Sequence, residues 1–168
     1  MKVRLVLLCM YVGLGALRAV NAQETKPSLH LILSPDKITV TPENSQTLDV
    51  KWINNSHRML WCNSEFSSAG IDESFAYDVR DSSGSPVSRL TGVKGAGAFG
   101  PVSSDCAVGS EGGTINSSIG CVMCAFDIRR PGVYTVQISR PDPDHPDRKI
   151  SSNKVTITVV LKPVETPK

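Results

Sequence analysis

The chain has 168 residues, with 18 lysines and arginines against 16 acidic residues and an apolar share of 40%, which suits a single globular domain. Three of the basic residues, Lys2, Arg4 and Arg18, lie in the first 22 positions, so the other 146 residues carry 15 basic and 16 acidic side chains. This balance argues against nucleic acid as a partner, because phosphate binding needs a clustered excess of positive charge.

The first 22 residues have the three-part layout of a secretory signal peptide. Lys2 and Arg4 give a positive start, residues 5–17 are apolar, and residues 20–22 place small or modest side chains before the cleavage point. The apolar run is shorter than the roughly 20 residues that span a bilayer. We therefore predict a secreted or periplasmic protein with no membrane span once this segment (1–22) is removed.

Residues 23–28 are predicted to form a disordered lead, and short segments of alternating apolar residues follow them. Residues two apart in a strand face the same side of a sheet, so each segment predicts a half-buried strand. Many short strands, with turn signals about every 8–12 residues, are typical of an all-β sandwich or barrel. In chain order the predicted strands lie at 29–33, 38–40, 48–52, 59–62, 75–79, 87–90, 133–139 and 154–161, with regular structure also resuming at 122–128.

Apolar parity within these segments also predicts the core. Trp52 shares a parity with its apolar neighbours and is predicted to pack inside. For Trp61, beside Cys62, packing on a disulfide and serving as a ligand platform are both open. The predicted core positions are Leu48, Val50, Trp52, Tyr77, Val79, Val136 and Ile157.

Residues 92–120 differ from the rest of the chain, because they hold 8 of the 11 glycines that follow residue 22 and show no apolar periodicity. Glycine in a strand costs about 0.5–1 kcal/mol relative to alanine. The segment is therefore predicted to be one long glycine-rich loop, flanked by cysteines. Loops of this length in compact domains are often functional.

Cys62, Cys106, Cys121 and Cys124 remain after the signal segment is removed, and an even number in an oxidising compartment predicts two disulfides. The sequence leaves three pairings open. Cys121 and Cys124 form a C-x-x-C motif, which in other settings is a redox pair or a soft-metal site. A structural disulfide is the prediction here, because the strand–helix–strand setting of redox motifs is missing and the histidines are scattered.

The sequence contains three other kinds of short motif. Residues 95–100 (GAGAFG) match a dinucleotide-binding pattern, but glycines and a proline follow where a helix is needed, so the match is accidental. Asp142, Asp144 and Asp147 could hold calcium, although a solvated turn is favoured. Residues 54–56 and 116–118 are glycosylation sequons that matter only in a glycosylating host. No motif predicts a catalytic residue, a metal site or a cofactor.

The sequence resembles immunoglobulin-like domains at three places. Residues 131–136 (PGVYTV) resemble the penultimate strand of these domains, and residues 152–159 (SNKVTITV) resemble the closing strand of bacterial extracytoplasmic members. Residues 77–84 (YDVRDSSG) resemble the middle hairpin of that group and of bacterial proteinase-inhibitor sandwiches.

The resemblance implies an immunoglobulin-like antiparallel β-sandwich over 29–161, with a polar tail at 162–168. It also implies a tyrosine-corner role for Tyr134, whose hydroxyl would fold back onto the backbone. Val136 stands where antibody-type domains have a cysteine, so their inter-sheet disulfide is not implied. These motifs are architectural and specify a fold more than a function.

Together these features predict a non-catalytic binding or structural module whose partner is another protein or an envelope component. Loops on rigid scaffolds commonly carry binding, so the 92–120 loop is the predicted contact surface. Two alternatives stay open. One is a proteinase inhibitor that presents the same loop, and the other is a thiol or soft-metal handling protein that uses Cys121 and Cys124.

Overall fold

A computed structural model describes residues 26–44, 46–67, 69–91 and 102–161, with the backbone alone at 102–104. The predicted signal peptide, the glycine motif at 95–100 and the polar tail at 162–168 lie outside the described residues. Within them, no helix is long and apolar enough to cross a membrane.

The regular structure of the described chain is β-strand apart from one turn of helix, so the all-β prediction is confirmed. The elements are β1 (Leu29–Ser34), β2 (Lys37–Val40), β3 (Leu48–Asn54), β4 (Leu60–Phe66), β5 (Ala76–Arg80), β6 (Val102–Val108), β7 (Thr114–Gly120), α1 (Val122–Ala125), β8 (Gly132–Pro141), β9 (Lys149–Ser151) and β10 (Val155–Val159).

The strands form three hydrogen-bonded sheets. The first has the order β1-β3-β7, and the second has the order β2-β10-β8-β5 with β9 also paired to β8. The third is a two-stranded ribbon of β4 and β6. Neighbouring strands are antiparallel, as predicted, except that β2 and β10 pair in parallel.

Side-chain alternation explains the first two sheets. Along β1 the residues Leu29, Leu31 and Leu33 are buried while His30 is exposed, and β3 and β10 alternate in the same way. Buried residues from both sheets belong to one hydrophobic core, in which the rings of Trp52 and Phe75 lie 5.3 Å apart. The strand patterns read from the sequence at 29–33 and 48–52 therefore identified real core faces.

Six of the seven predicted core positions are buried, and Tyr77 is only half-buried. The Tyr77 hydroxyl donates to the backbone oxygen of Asp72 at 2.9 Å. Burial raises the pKa of Tyr77, and the negative charges of Asp72 and Glu73 raise it further. Tyr134, the tyrosine-corner candidate, donates its hydroxyl to the backbone oxygen of Arg130 at 2.9 Å.

The prediction of a single loop over 92–120 is wrong, because two parts of this range are strands. Residues 102–108 form β6 and residues 114–120 form β7. The glycines mark turns and strand ends instead: Gly112 and Gly120 have φ values of +89° and +83°, a region that suits glycine. Residues 92–101 lie outside the described residues, so the proteinase-inhibitor alternative is confined to that stretch and the turn at 109–113.

Two smaller expectations also change. Residues 87–90 form no strand; they make an isolated bridge, Arg89 with Phe126, and a few separate backbone hydrogen bonds. The segment 122–128 begins with the one-turn helix α1 and continues without a strand, because Val122, Met123, Ala125, Phe126 and Ile128 all bury their side chains at spacings that do not alternate.

Candidate functional site

The ribbon of β4 and β6 carries the most exposed aromatic side chain in the described chain. Its two strands pair from Leu60 with Val108 to Phe66 with Val102. Cys62 lies directly opposite Cys106 and is disulfide-bonded to it, with 5.1 Å between the Cα atoms. The disulfide fixes the register of the ribbon near its middle.

The two faces of the ribbon differ sharply. Leu60, Cys62 and Ser64 point inward and are buried, with Cys62 fully so at 0% exposure. Because successive side chains of a strand point to opposite faces, the buried Cys62 turns Trp61 outward, where 62% of its surface is exposed. The expectation that Trp61 packs on the disulfide is therefore wrong.

Trp61 does not stand alone on the outward face. Met59, two residues earlier, is 54% exposed. Ala107, the residue opposite Trp61 on β6, is exposed as well. We call the outward side of the ribbon formed by Met59, Trp61 and Ala107 the ribbon face. It is apolar at its centre, and exposed Asn63, Glu65 and Asp105 lie next to it.

Asn54 holds the ends of the ribbon in place. Its side chain is 0% exposed, and its Nδ2 donates to the backbone oxygens of Arg58 at 2.7 Å, Gly109 at 2.9 Å and Val108 at 3.2 Å. Its Oδ1 accepts from the N–H of Ser56 at 2.8 Å. The segment that enters β4 and the segment that leaves β6 are thus tied to the end of β3. The Asn54 sequon has no accessible amide in the folded chain.

Two of the three aspartates considered for calcium, Asp142 and Asp144, have other partners. Asp142 is buried and accepts from the N–H of Ser28 at 3.2 Å and from the Ser28 hydroxyl. Asp144 accepts from Nε of Arg58 at 2.8 Å, which ties the β8–β9 turn to the approach to β4. Among the described residues, no three His, Cys, Asp or Glu side chains converge as metal ligands would.

Burial and hydrogen bonds act in opposite directions on Asp142. Desolvation raises the pKa of Asp142, but the hydrogen bonds from Ser28, Asp144 and His145 lower it, and the net pKa lies below the usual value. The folded chain therefore favours the carboxylate at this position.

Arg140 was missed by the sequence reasoning. It shares the inward parity of β8 with Val136 and Ile138, and its guanidinium carbon lies 4.8 Å from the ring centroid of Trp52 and 5.9 Å from that of Phe75. Because Arg140 lies at the same strand parity as these apolar residues, the sequence contained a signal that could have identified it. An arginine on the core side of a strand predicts either a buried counter-charge or a ligand site.

The counter-charge is Asp72, which is fully buried. Desolvation lowers the pKa of Arg140, and the negative charge of Asp72 raises it. Four buried polar atoms of the described chain lack a hydrogen-bond partner here: Nε and Nη1 of Arg140, Oδ2 of Asp72 and Oγ of Ser74. Arg140 also lines an open pocket of about 420 Å³, together with residues that include Phe75, Pro146 and Lys149.

The second cysteine pair lies apart from the ribbon. Cys121 and Cys124 are disulfide-bonded across α1, with 5.2 Å between their Cα atoms. The pairing that the sequence left open is thus Cys62 with Cys106 and Cys121 with Cys124.

Comparisons with known proteins found no relative of this chain. No protein-family model, curated protein or solved structure matches the chain.

Proposed function

We propose that this chain is an exported, non-catalytic immunoglobulin-like module that binds another protein, and that the ribbon face is its contact surface. The observation that carries the proposal is the outward position of Trp61 on a strand whose next residue is buried and cross-linked. Large exposed aromatic side chains that lie next to other apolar groups are typical of interaction surfaces.

The energetics favour contact at this face. An aromatic side chain buries roughly 150–250 Å² in an interface, so covering the exposed 62% of Trp61 would contribute about 2–4 kcal/mol at ~25 cal/mol per Å², before the costs of association. The disulfide and the Asn54 hydrogen bonds already hold the ribbon in one shape. Less conformational entropy is then lost on binding than from a free loop.

The strand order supports the immunoglobulin-like assignment. In constant-type domains, strands A, B and E neighbour one another in one sheet, and C, F and G do so in the other. The orders β1-β3-β7 and β5-β8-β10 correspond to these two sets. Tyr134, near the start of β8, makes the backward hydrogen bond of a tyrosine corner. The two ribbon strands are then additions to that frame. Along the chain, β4 lies between the strands that correspond to B and C, and β6 lies between those that correspond to C and E.

Export is supported by the predicted signal segment and by the use of cysteine. Disulfides are typical of an oxidising compartment, such as the periplasm or the cell exterior, and are rare in the cytosol of most organisms. A partner reached through the ribbon face would accordingly be an extracytoplasmic protein or an envelope component.

The test compares Trp61→Ser with Val133→Ser in the source cell. Val133 is the control because it is an apolar strand residue exposed at 43% on β8. We expect both proteins outside the cytoplasm with an N-terminus at Gln23. We also expect a protein that co-purifies with the wild type and with Val133→Ser and is lost from Trp61→Ser.

Direct binding of the purified partner completes the experiment. Truncating a central aromatic contact typically weakens binding by ~30-fold or more. Equal affinities of the wild type and the Trp61→Ser protein would overturn the assignment of the ribbon face, and a cytoplasmic protein that begins at Met1 would overturn export.

A further inference from the structure

We propose that Cys121 and Cys124 form a reversible thiol–disulfide exchange site for external protein dithiols, while Cys62 and Cys106 form the permanent cross-link. The binding function proposed above does not use the Cys121–Cys124 pair. The inference starts from the different positions of the two disulfides in the fold.

The two disulfides close loops of very different size. Cys62 and Cys106 are 44 residues apart in sequence, whereas Cys121 and Cys124 are 3 apart. A disulfide restricts the unfolded chain more when its loop is longer, so the short loop contributes less to the stability of the fold. In the short pair, Cys121 and Cys124 are both half-buried and in part accessible from solvent. In the long pair, Cys106 is also half-buried, but Cys62 is fully buried.

The backbone around the short disulfide is held without it. The N–H of Cys121 donates to the backbone oxygen of Gly70 at 3.0 Å, and the N–H of Leu90 donates to that of Ala125 at 2.8 Å. Val122 and Met123, between the two cysteines, are buried in the core. Reduction would therefore leave the two sulfur atoms facing each other, ready to close again.

The geometry also distinguishes the two sulfurs. Sγ of Cys121 accepts a hydrogen bond from the backbone N–H of Cys124 at 3.1 Å. A hydrogen bond to a thiolate stabilises it relative to the thiol, because the charged acceptor is the stronger one. Cys121 is thus the sulfur that forms the mixed disulfide with a partner, and Cys124 is the resolving thiol.

The exchange balances in two steps. A thiolate of the external dithiol attacks Sγ of Cys121, the bond between Cys121 and Cys124 breaks, and Cys124 leaves as a thiolate that takes up a proton. The second thiol of the partner loses its proton and attacks the partner's own sulfur in the mixed disulfide, which releases Cys121 as a thiolate. The partner leaves as a disulfide, and two electrons have passed to Cys121 and Cys124.

The first experiment treats the mature wild-type protein with dithiothreitol, alkylates the free thiols and maps them by mass spectrometry, with circular dichroism recorded in parallel. Because both sulfurs of the short pair can be reached from solvent whereas Cys62 is fully buried, we expect Cys121 and Cys124 to be reduced and alkylated at least ~10-fold faster than Cys62 and Cys106 at the same dithiothreitol concentration. The β-sheet signal should be unchanged at that point. Simultaneous reduction of all four cysteines, or loss of the β-sheet signal when Cys121 is first labelled, would overturn the proposal.

The second experiment uses oxidised glutathione as the probe on two matched variants, Cys124→Ser and Cys121→Ser. We expect a glutathione adduct on Cys121 in the first variant to form at least ~10-fold faster than one on Cys124 in the second, because only Cys121 has the hydrogen-bonded sulfur. Equal or reversed rates would overturn the role given to Cys121. No adduct in either variant would overturn exchange at this site.

Discussion

Asn54 shows how much of the ribbon depends on one buried amide. Its side chain supplies hydrogen bonds to three backbone oxygens, on segments that are otherwise separate in sequence. A buried donor that loses its partners costs about 1–3 kcal/mol, and more where a charge is introduced. The position of the ribbon relative to the first sheet therefore depends on this residue.

Replacing Asn54 by aspartate should destabilise the protein by about 3 kcal/mol or more, because a carboxylate would face three backbone oxygens. Asn55→Asp is the matched control, since the Asn55 amide makes one exposed hydrogen bond of 3.3 Å to Pro27. That change should cost less than ~1 kcal/mol. Urea unfolding measures both values, and equal costs would contradict the role of Asn54.

Arg140 and Asp72 are two opposite charges on the core side of the sheets, so each compensates the other. Changing Arg140 to methionine should cost about 1–3 kcal/mol, because the electrostatic attraction to Asp72 and the contact of the guanidinium with the Trp52 ring are both lost. Adding Asp72→Asn should recover part of that loss and give a coupling energy of about 1–3 kcal/mol.

The control for the Arg140 cycle is Arg80→Met, because Arg80 makes an exposed pair with Asp78. Exposed pairs contribute about 0–1 kcal/mol. Unfolding free energies of the single and double variants in urea provide the measurement. Strict additivity of Arg140→Met and Asp72→Asn would show that the two charges act independently.

Asp142 gives the stability of the fold a dependence on pH. Its folded pKa lies below the unfolded value of about 3.9, because the hydrogen bonds from Ser28 and its neighbours outweigh desolvation. The carboxylate therefore contributes stability above the unfolded pKa, and this contribution is lost as the pH falls through the folded pKa.

We expect the stability difference between the wild type and Asp142→Asn to be larger at about pH 6 than at about pH 3. Urea unfolding at the two pH values measures it. Ser83→Ala is not a suitable control, because Ser83 lowers the pKa of another carboxylate, Asp81. Asp147→Asn is the control, since Asp147 is exposed and shows no comparable hydrogen bond. A difference that does not change with pH would contradict the account of Asp142.

At the scale of elements, alternation in the sequence identified the strands with one clearly apolar face and missed those without one. The strands at 29–33 and 48–52 were predicted because the leucines in the first, and Leu48, Val50 and Trp52 in the second, share one parity. β7 has only two large apolar residues, Ile115 and Ile119, which are four apart, and it is held by pairing with β3. A strand that is held mainly by pairing with its neighbour shows only weak alternation of apolar and polar residues in its own sequence.

Gly120, where β7 ends, is an element boundary that only glycine fits. Its φ is +83°, and a Cβ atom placed there would lie 1.9 Å from the backbone oxygen of Gly70. Gly84 has nearly the same φ of +82°, but a Cβ there would meet nothing within 4 Å. A comparison of substitutions at these two glycines therefore distinguishes the cost of the backbone conformation from the cost of crowding.

Gly84→Ala should cost about 1 kcal/mol from the unfavourable φ alone, whereas Gly120→Ala should cost at least ~2 kcal/mol more, because the backbone must also move. Thermal or urea unfolding of the two variants measures the difference. Similar losses for both would show that crowding by Gly70 is unimportant.

At the scale of the whole molecule, two sheets share one core and the ribbon projects a second, apolar surface. The all-β class and six of the seven core positions were predictable, because they depend on local alternation. Asn54 and Arg140 both share the parity of core residues, and that parity could have identified them. The ribbon face was not predictable, since β6 lay inside a segment read as a loop and the pairing of Cys62 with Cys106 was undetermined.

The most direct measurement of the central claim is site-specific photo-crosslinking in the source cell, with a photoreactive amino acid at position 61 or, as the control, at position 133. If the ribbon face binds a partner protein, a discrete crosslinked adduct should form from position 61 and not from position 133. Adducts of equal yield from both positions, or none from position 61, would contradict the account.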